Sequence, residues 1–287
     1  MEIAMNFREK LEAQWAQQRF LCVGLDPVME KMPARFRSVG GLVSEQISDF
    51  LGKIVEKTAP SAAAYKPNLA FFEQYGPAGL YALEKTIAAV RKYSDAVLIL
   101  DGKRTDIGST NEAYAVELFD HFGADAITVN PYFGGGSLEP FLKRKDKGIF
   151  VLCRTTGANS GEIQDLIVQD PVLGQVPLYQ SIARRVSEDW DVNSNCGLVM
   201  GALTPFELKI VRDIVGDMEY LIPGVGKQGG LPKDVVPQAI DSRGWGFVIN
   251  SSRDILYASN GDDFAEAAGD KATETNNDIR AALAEAA

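Results

Sequence analysis

Short apolar runs alternate with longer segments of helical periodicity from one end of the chain to the other. The runs 20–25, 62–66, 96–100, 126–129, 148–153, 197–200, 220–222 and 247–249 read as strands. Between them, 42–57, 80–93, 110–119, 138–143, 178–190, 205–215 and 233–239 carry helical spacing. Eight strands, each followed by a helical segment, predict an α/β fold of the (β/α)8 barrel type. A doubly wound open sheet is the rival, and the regular repetition with no linker favours closure. The 287 residues suit one such domain over 1–287, with no Pro/Ser-rich tether and no charge block to divide it. A leading helix over 6–17 is expected to cap the barrel floor or pack beside it. The Ala- and acid-rich tail, 260–287, reads as a surface helix with a mobile end and no assigned function.

Composition narrows the partners. A formal charge of -10 argues against nucleic acid and acidic membranes, but local cations can still hold an anionic ligand. No apolar stretch approaches the ~20 residues that span a bilayer, and the first twenty residues show no signal-peptide core. Cys22, Cys153 and Cys196 sit in or beside apolar runs and read as buried, reduced thiols. A cytoplasmic protein is expected.

A barrel of this kind places its chemistry at the C-terminal strand ends. The polar residues fall there. The first strand runs into Asp26, the second ends in Lys66-Pro67-Asn68, and the third runs into Asp101-Gly102-Lys103 with Asp106 beyond. The fifth ends in Arg154-Thr155-Thr156-Gly157. The seventh enters a glycine-rich loop, 223–230, and the eighth runs into Asn250-Ser251-Ser252-Arg253. Glycines in that loop allow close backbone approach to a phosphate, with the Gln228 amide and the Arg253 guanidinium as donors. Asp101 and Lys103, two apart, are expected to share a strand face. Asp26, Lys66, Asp101, Lys103 and Asp106 are expected to converge on one mouth, where each sign keeps the other ionised. Clustered aspartates also suit a metal, but the interleaved lysines already supply cations. The single histidine, His121, reads as a helix end, so histidine-assisted nucleophilic chemistry is not expected.

These residues resemble a known family. Asp101-x-Lys103-x-x-Asp106-Ile107, with Asp26 and Tyr65-Lys66-Pro67-Asn68, is similar to orotidine 5′-phosphate decarboxylase. Thr128-Val129-Asn130-Pro131-Tyr132 and the 223–230 loop look most like its second, bacterial-type branch. The resemblance runs from about Phe20 to Arg253. It implies a barrel of the ribulose-phosphate-binding kind that converts orotidine 5′-monophosphate to UMP without metal or cofactor. Lys66, Asp101, Lys103 and Asp106 would form the charged catalytic network, with Lys103 the proton donor to C6 of the pyrimidine. Asp26 and Lys66 would meet ribose hydroxyls, with Asn68 and Ser252 nearby. Thr156 would meet the pyrimidine edge, and Gln228 and Arg253 would hold the phosphate. The family completes its site across a homodimer, so Asp106, Ile107 and Thr110 are expected to act from the partner.

Two segments depart from the family pattern. The strand-5 loop, 154–161, differs enough that Asn159 is an alternative to Thr156. Gly134-Gly135-Gly136 is assigned only a loop role. Two rival functions differ in their demands. A Mg2+-dependent phosphosugar decarboxylase or hexulose-phosphate synthase would want an acid at the end of strand 2, where Lys66 stands. A non-catalytic nucleotide-binding barrel would not need the full charge array.

Overall fold

The computed structural model describes residues 5–37, 41–226 and 229–286. Its strands are β1 (Leu21–Gly24), β2 (Ala62–Lys66), β3 (Val97–Arg104), β4 (Ala126–Val129), β5 (Gly148–Arg154), β6 (Ile167–Asp170), β7 (Gly174–Pro177), β8 (Cys196–Met200), β9 (Glu219–Pro223) and β10 (Phe247–Ser251). Eight of them close into a parallel barrel in the order β1-β10-β9-β8-β5-β4-β3-β2. Leu21 of β1 pairs with both Ile249 of β10 and Ala62 of β2, which seals the ring. A parallel strand in a barrel is covered on both faces, so it needs an unbroken apolar run rather than alternation. Every residue of β1, β2, β4, β8 and β10 is buried. The eight apolar runs identified from periodicity are the eight barrel strands.

The helix Phe7–Ala16 starts with a reciprocal cap, in which Asn6 Oδ1 accepts from Glu9 N and Asn6 N donates to Glu9 Oε2. It lies across the N-terminal strand ends. Phe7 stacks edge-on against Phe150, Trp15 Nε1 donates to the Phe247 carbonyl, and Arg8 pairs with the buried Glu219. Of the two placements expected for this helix, the floor cap is the one adopted.

Two segments differ from expectation. The surface helix expected in 260–287 is present as Phe264–Ala286, but it is docked along its length, because Phe264, Ala268, Ala272, Ile279 and Ala282 form a buried stripe. That stripe packs on the helices Val43–Thr58 and Pro232–Ala239. Asn276 ties it to the start of β1, accepting from Phe20 N at 2.9 Å and donating to the Gln18 carbonyl at 2.9 Å. Between β5 and the helix Leu178–Arg185, β6 and β7 form an antiparallel hairpin that the hydrophobic pattern does not disclose. Buried Asp170 pins it, accepting from Val172 N, Leu173 N, Ser181 Oγ and Arg184 Nε.

Candidate active site

The end of β2 and the middle of β3 are stitched together before any side chain is considered. Asp101 N donates to the Pro67 carbonyl and Leu69 N to the Asp101 carbonyl, so the segment after β2 runs alongside β3. This brings the Lys66 and Asp101 side chains face to face. Lys66 Nζ donates to Asp101 Oδ2 at 2.7 Å. Lys103 Nζ donates to Asp101 Oδ1 at 2.6 Å, and Thr128 Oγ1 donates to the same oxygen at 2.8 Å. Lys66 and Asp101 are only 5% and 7% exposed, whereas the Lys103 side chain reaches solvent.

Asp101 and Lys103 do meet, although not by simple alternation. Lys103 takes a left-handed backbone conformation, φ 49°, inside an irregularity of the β3–β4 register. The neighbouring Gly102 leaves room for the Leu69 side chain, whose Cδ1 would lie 2.8 Å from a Cβ there.

Charge is held firmly in this cluster. Burial opposes ionisation of Asp101, but Lys66 and then Lys103 overcome it and keep the carboxyl well below the usual range. Burial likewise opposes a charged Lys66, and Asp101 and Asp26 outweigh it, holding the ammonium above the ordinary lysine range. Beneath them Cys22 is buried and free, its thiol pushed up to about 12 by burial. It stays neutral.

Asp26 joins three strand ends. Its Oδ2 accepts from Ser252 Oγ at 2.7 Å, its Oδ1 from Asn68 N at 3.3 Å, and its carbonyl from the Tyr257 hydroxyl. A cavity of about 320 Å3 opens above, walled by Asp26, Lys66, Asn68, Asp101, Asn250 and Arg253 among others. Pro223, Gly224 and Val225 form its far rim. Gly224 and Gly226 have φ 105° and 88°, which only glycine adopts at little cost, and Gly226 N and Gly230 N close the loop on the Gly230 and Gly224 carbonyls. Arg253 is exposed and makes no ion pair among the described residues. Gln228 lies outside the described residues.

Several expected site residues stand elsewhere. Asp106 does not join the other four charges. After β3, Thr105 Oγ1 bonds to the Asn130 carbonyl, and Asp106 then starts the helix Gly108–Ala115, its Oδ1 accepting from Ile107 N. Thr110 sits on that helix and Ile107 is exposed in front of it. Neither Thr156 nor Asn159 is on the cavity wall. Buried Arg154 draws their loop back by hydrogen bonds to Ser160, Gln164 and Asp165. His121 pairs with Glu84 on the surface, away from the cavity. Two further residues belong to the site: Thr128 contacts the charged cluster and Asn250 lines the cavity. Thr128 lies within the apolar run of β4, where one hydroxyl gives little signal.

A closed parallel barrel with an ion network at its strand ends and a glycine loop on the opposite rim defines a (β/α)8-barrel enzyme. Residues 19–268 match the family described as Orotidine 5′-phosphate decarboxylase / HUMPS family. The orotidine 5′-phosphate decarboxylase of Janthinobacterium sp. (strain Marseille) is 44% identical over 285 residues, covering 98% of this chain and 100% of the relative. That of Cellvibrio japonicus is 42% identical over 282 residues, covering 98% and 100%. Among solved structures, Leishmania donovani OMP decarboxylase superposes with a TM-score of 0.80 at 36% identity, covering 96% of this chain and 99% of that one. Leishmania donovani UMP synthase gives 0.82 at 38% identity over 96% of this chain, which spans 57% of that longer protein. The chain belongs to the orotidine 5′-phosphate decarboxylase family.

Proposed function

We propose that Lys103, held by Asp101, is the proton donor in the reaction of this family. The enzyme is a carboxy-lyase that converts orotidine 5′-monophosphate to UMP in pyrimidine biosynthesis. The observation that supports the role of Lys103 is the Lys66–Asp101–Lys103 chain of short charged hydrogen bonds, of which Lys66 and Asp101 line the cavity.

The chemistry needs a cation at one carbon. The C6–carboxylate bond breaks, CO2 departs, and the electron pair stays on C6, where the ring delocalises it poorly. An ammonium fixed beside C6 stabilises that pair and then forms the C6–H bond with one of its own protons. Lys103 is left as the amine and regains a proton from water. Asp101 fixes the lysine in advance, so little reorganisation is needed during the reaction. Its negative charge also faces the substrate carboxylate.

The remaining assignments complete the substrate. Asp26 and Lys66 contact the ribose hydroxyls, with Asn68 and Ser252 beside them, each bonded to Asp26. Arg253 and Gln228 hold the phosphate beside the glycine rim, and this remote binding energy serves the transition state. Thr156 or Asn159, on the strand-5 loop, meets the pyrimidine edge. Asp106, Ile107 and Thr110 lie off their own cavity and are exposed or partly so, which suits a homodimer in which each subunit lends them to the other. No metal or cofactor enters this scheme. The enzyme acts in the cytoplasm on a small molecule, without nucleic acid or membrane. Among the described residues no helix is long and apolar enough to cross a bilayer.

The phosphosugar reading has no observation in its favour, because β2 ends in a buried lysine paired with Asp101. The test is loss of orotidine-monophosphate absorbance with purified protein in EDTA. Turnover supports the metal-free scheme; turnover only after adding Mg2+ would favour the rival.

A further inference from the structure

We infer that Thr128 is a positioning residue for Lys103, acting through its hydroxyl on both the backbone and the counter-ion of that lysine. This inference rests on the role proposed for Lys103. Pairing of β3 with β4 is regular up to Leu100↔Ile127 and resumes at Arg104↔Val129. Between those points Asp101, Gly102 and Lys103 face the single residue Thr128. The ladder therefore supplies no carbonyl for Lys103 N. Thr128 Oγ1 takes its place, accepting from Lys103 N at 3.0 Å.

The same oxygen donates to Asp101 Oδ1 at 2.8 Å. An ionised carboxylate can only accept, so the direction of this bond is settled by chemistry. Lys103 Nζ donates to that same Oδ1 at 2.6 Å. One hydroxyl thus closes a loop from the Lys103 backbone, through Asp101, to the Lys103 ammonium. Two features make it needed. Lys103 is left-handed, φ 49°, which a side chain with a Cβ resists. Its ammonium is also partly exposed, so packing alone does not fix it. Thr128 itself is buried, with 1% exposure, so it touches the network rather than solvent.

Two substitutions separate the hydroxyl from the shape. Thr128→Val keeps the branched shape and removes both bonds, whereas Thr128→Ser keeps the oxygen and loses a methyl. Misplacing a reacting group by a fraction of an ångström to one ångström lowers kcat by roughly ten- to a hundredfold. The valine variant is expected to show that fall with KM and UMP affinity within about twofold of the parent, and the serine variant to restore most of kcat. In a Lys103→Ala background, Thr128→Val should cause no further loss. Parental kcat in the valine variant, or a serine variant as slow as valine, would overturn the inference. Should the valine protein fail to fold, Thr128→Ala against Thr128→Ser makes the same comparison. Normal turnover by Lys103→Ala alone would instead sink the proton-donor reading, so the two failures are distinct.

Discussion

Lys66 Nζ stands 2.7 Å from Asp101 Oδ2, with both side chains almost closed off from water. The pair is the centre of the site and also a structural liability. The burial of each charge is offset chiefly by the other, with Lys103 adding to the hold on Asp101 and Asp26 to the hold on Lys66. Removing one partner from such a pair strands the other.

Asp101→Asn should therefore destabilise the fold by about 3–5 kcal/mol, since Lys66 loses its counter-ion in a buried position. Urea unfolding followed by circular dichroism measures it. A change under ~1 kcal/mol would mean that water reaches Lys66 and replaces the lost charge.

The same pair shapes stability against pH. Asp101 is depressed, so its contribution is complete above the unfolded carboxylate value of about 3.9 and is lost as pH falls through the lower folded value. Lys66 is raised, so its contribution is complete below about 10.4 and is lost as pH rises through the higher folded value. Relative to a Lys66→Met/Asp101→Asn double variant, the parent should hold a constant stability difference from about pH 5 to 9 and lose ground at both extremes. A difference that drifts across neutral pH would contradict this assignment.

Arg253 is exposed and unpaired among the described residues, so its removal should leave folding unchanged. Arg253→Ala should weaken UMP binding by roughly ten- to a hundredfold, the worth of charged hydrogen bonds to phosphate. Uridine, which has no phosphate, should bind the variant and the parent alike. Calorimetry with both ligands decides it.

Asn276 is the polar clamp between the final helix and the start of β1. Asn276→Ala leaves the Phe20 amide without a partner in a buried setting and should cost about 1–3 kcal/mol. Unchanged thermal unfolding would show that the apolar stripe alone docks the helix.

The shared-site proposal is tested by mixing two dead enzymes. Lys103→Ala and Asp106→Ala proteins, unfolded together and refolded, should recover about a quarter of parental activity, because half the dimers are mixed and each mixed dimer carries one intact site. No recovery would place Asp106 in its own subunit's site.

What could be read in advance follows physical rules. The barrel strands were legible because burial on both faces demands continuous apolar runs. The extension of β3 through Arg104 was not, because Asp101-Gly102-Lys103-Arg104 is polar and its pairing irregular. The docking of Phe264–Ala286 was hidden because alanine marks a buried stripe weakly. The hairpin Ile167–Pro177 is not legible because its strands are short and bury only Asp170, so it is anchored by one aspartate rather than by an apolar face. Lys66, Asp101 and Lys103 stood out as charges ending apolar runs. Thr128 did not, since its hydroxyl matters only once β3 bulges against it. Asp106 and Thr156 were placed by motif, which gives position along the chain but not the direction in which a loop carries the side chain.

The most direct test of the central claim is single-turnover decarboxylation of orotidine 5′-monophosphate in EDTA by Lys103→Ala beside the parent. The parent should release CO2 and form UMP. The variant should bind UMP and keep its circular dichroism spectrum while turnover falls at least ~10⁴-fold, the upper range for one positioned acid. Turnover within about tenfold of the parent would show that the proton reaches C6 from another group.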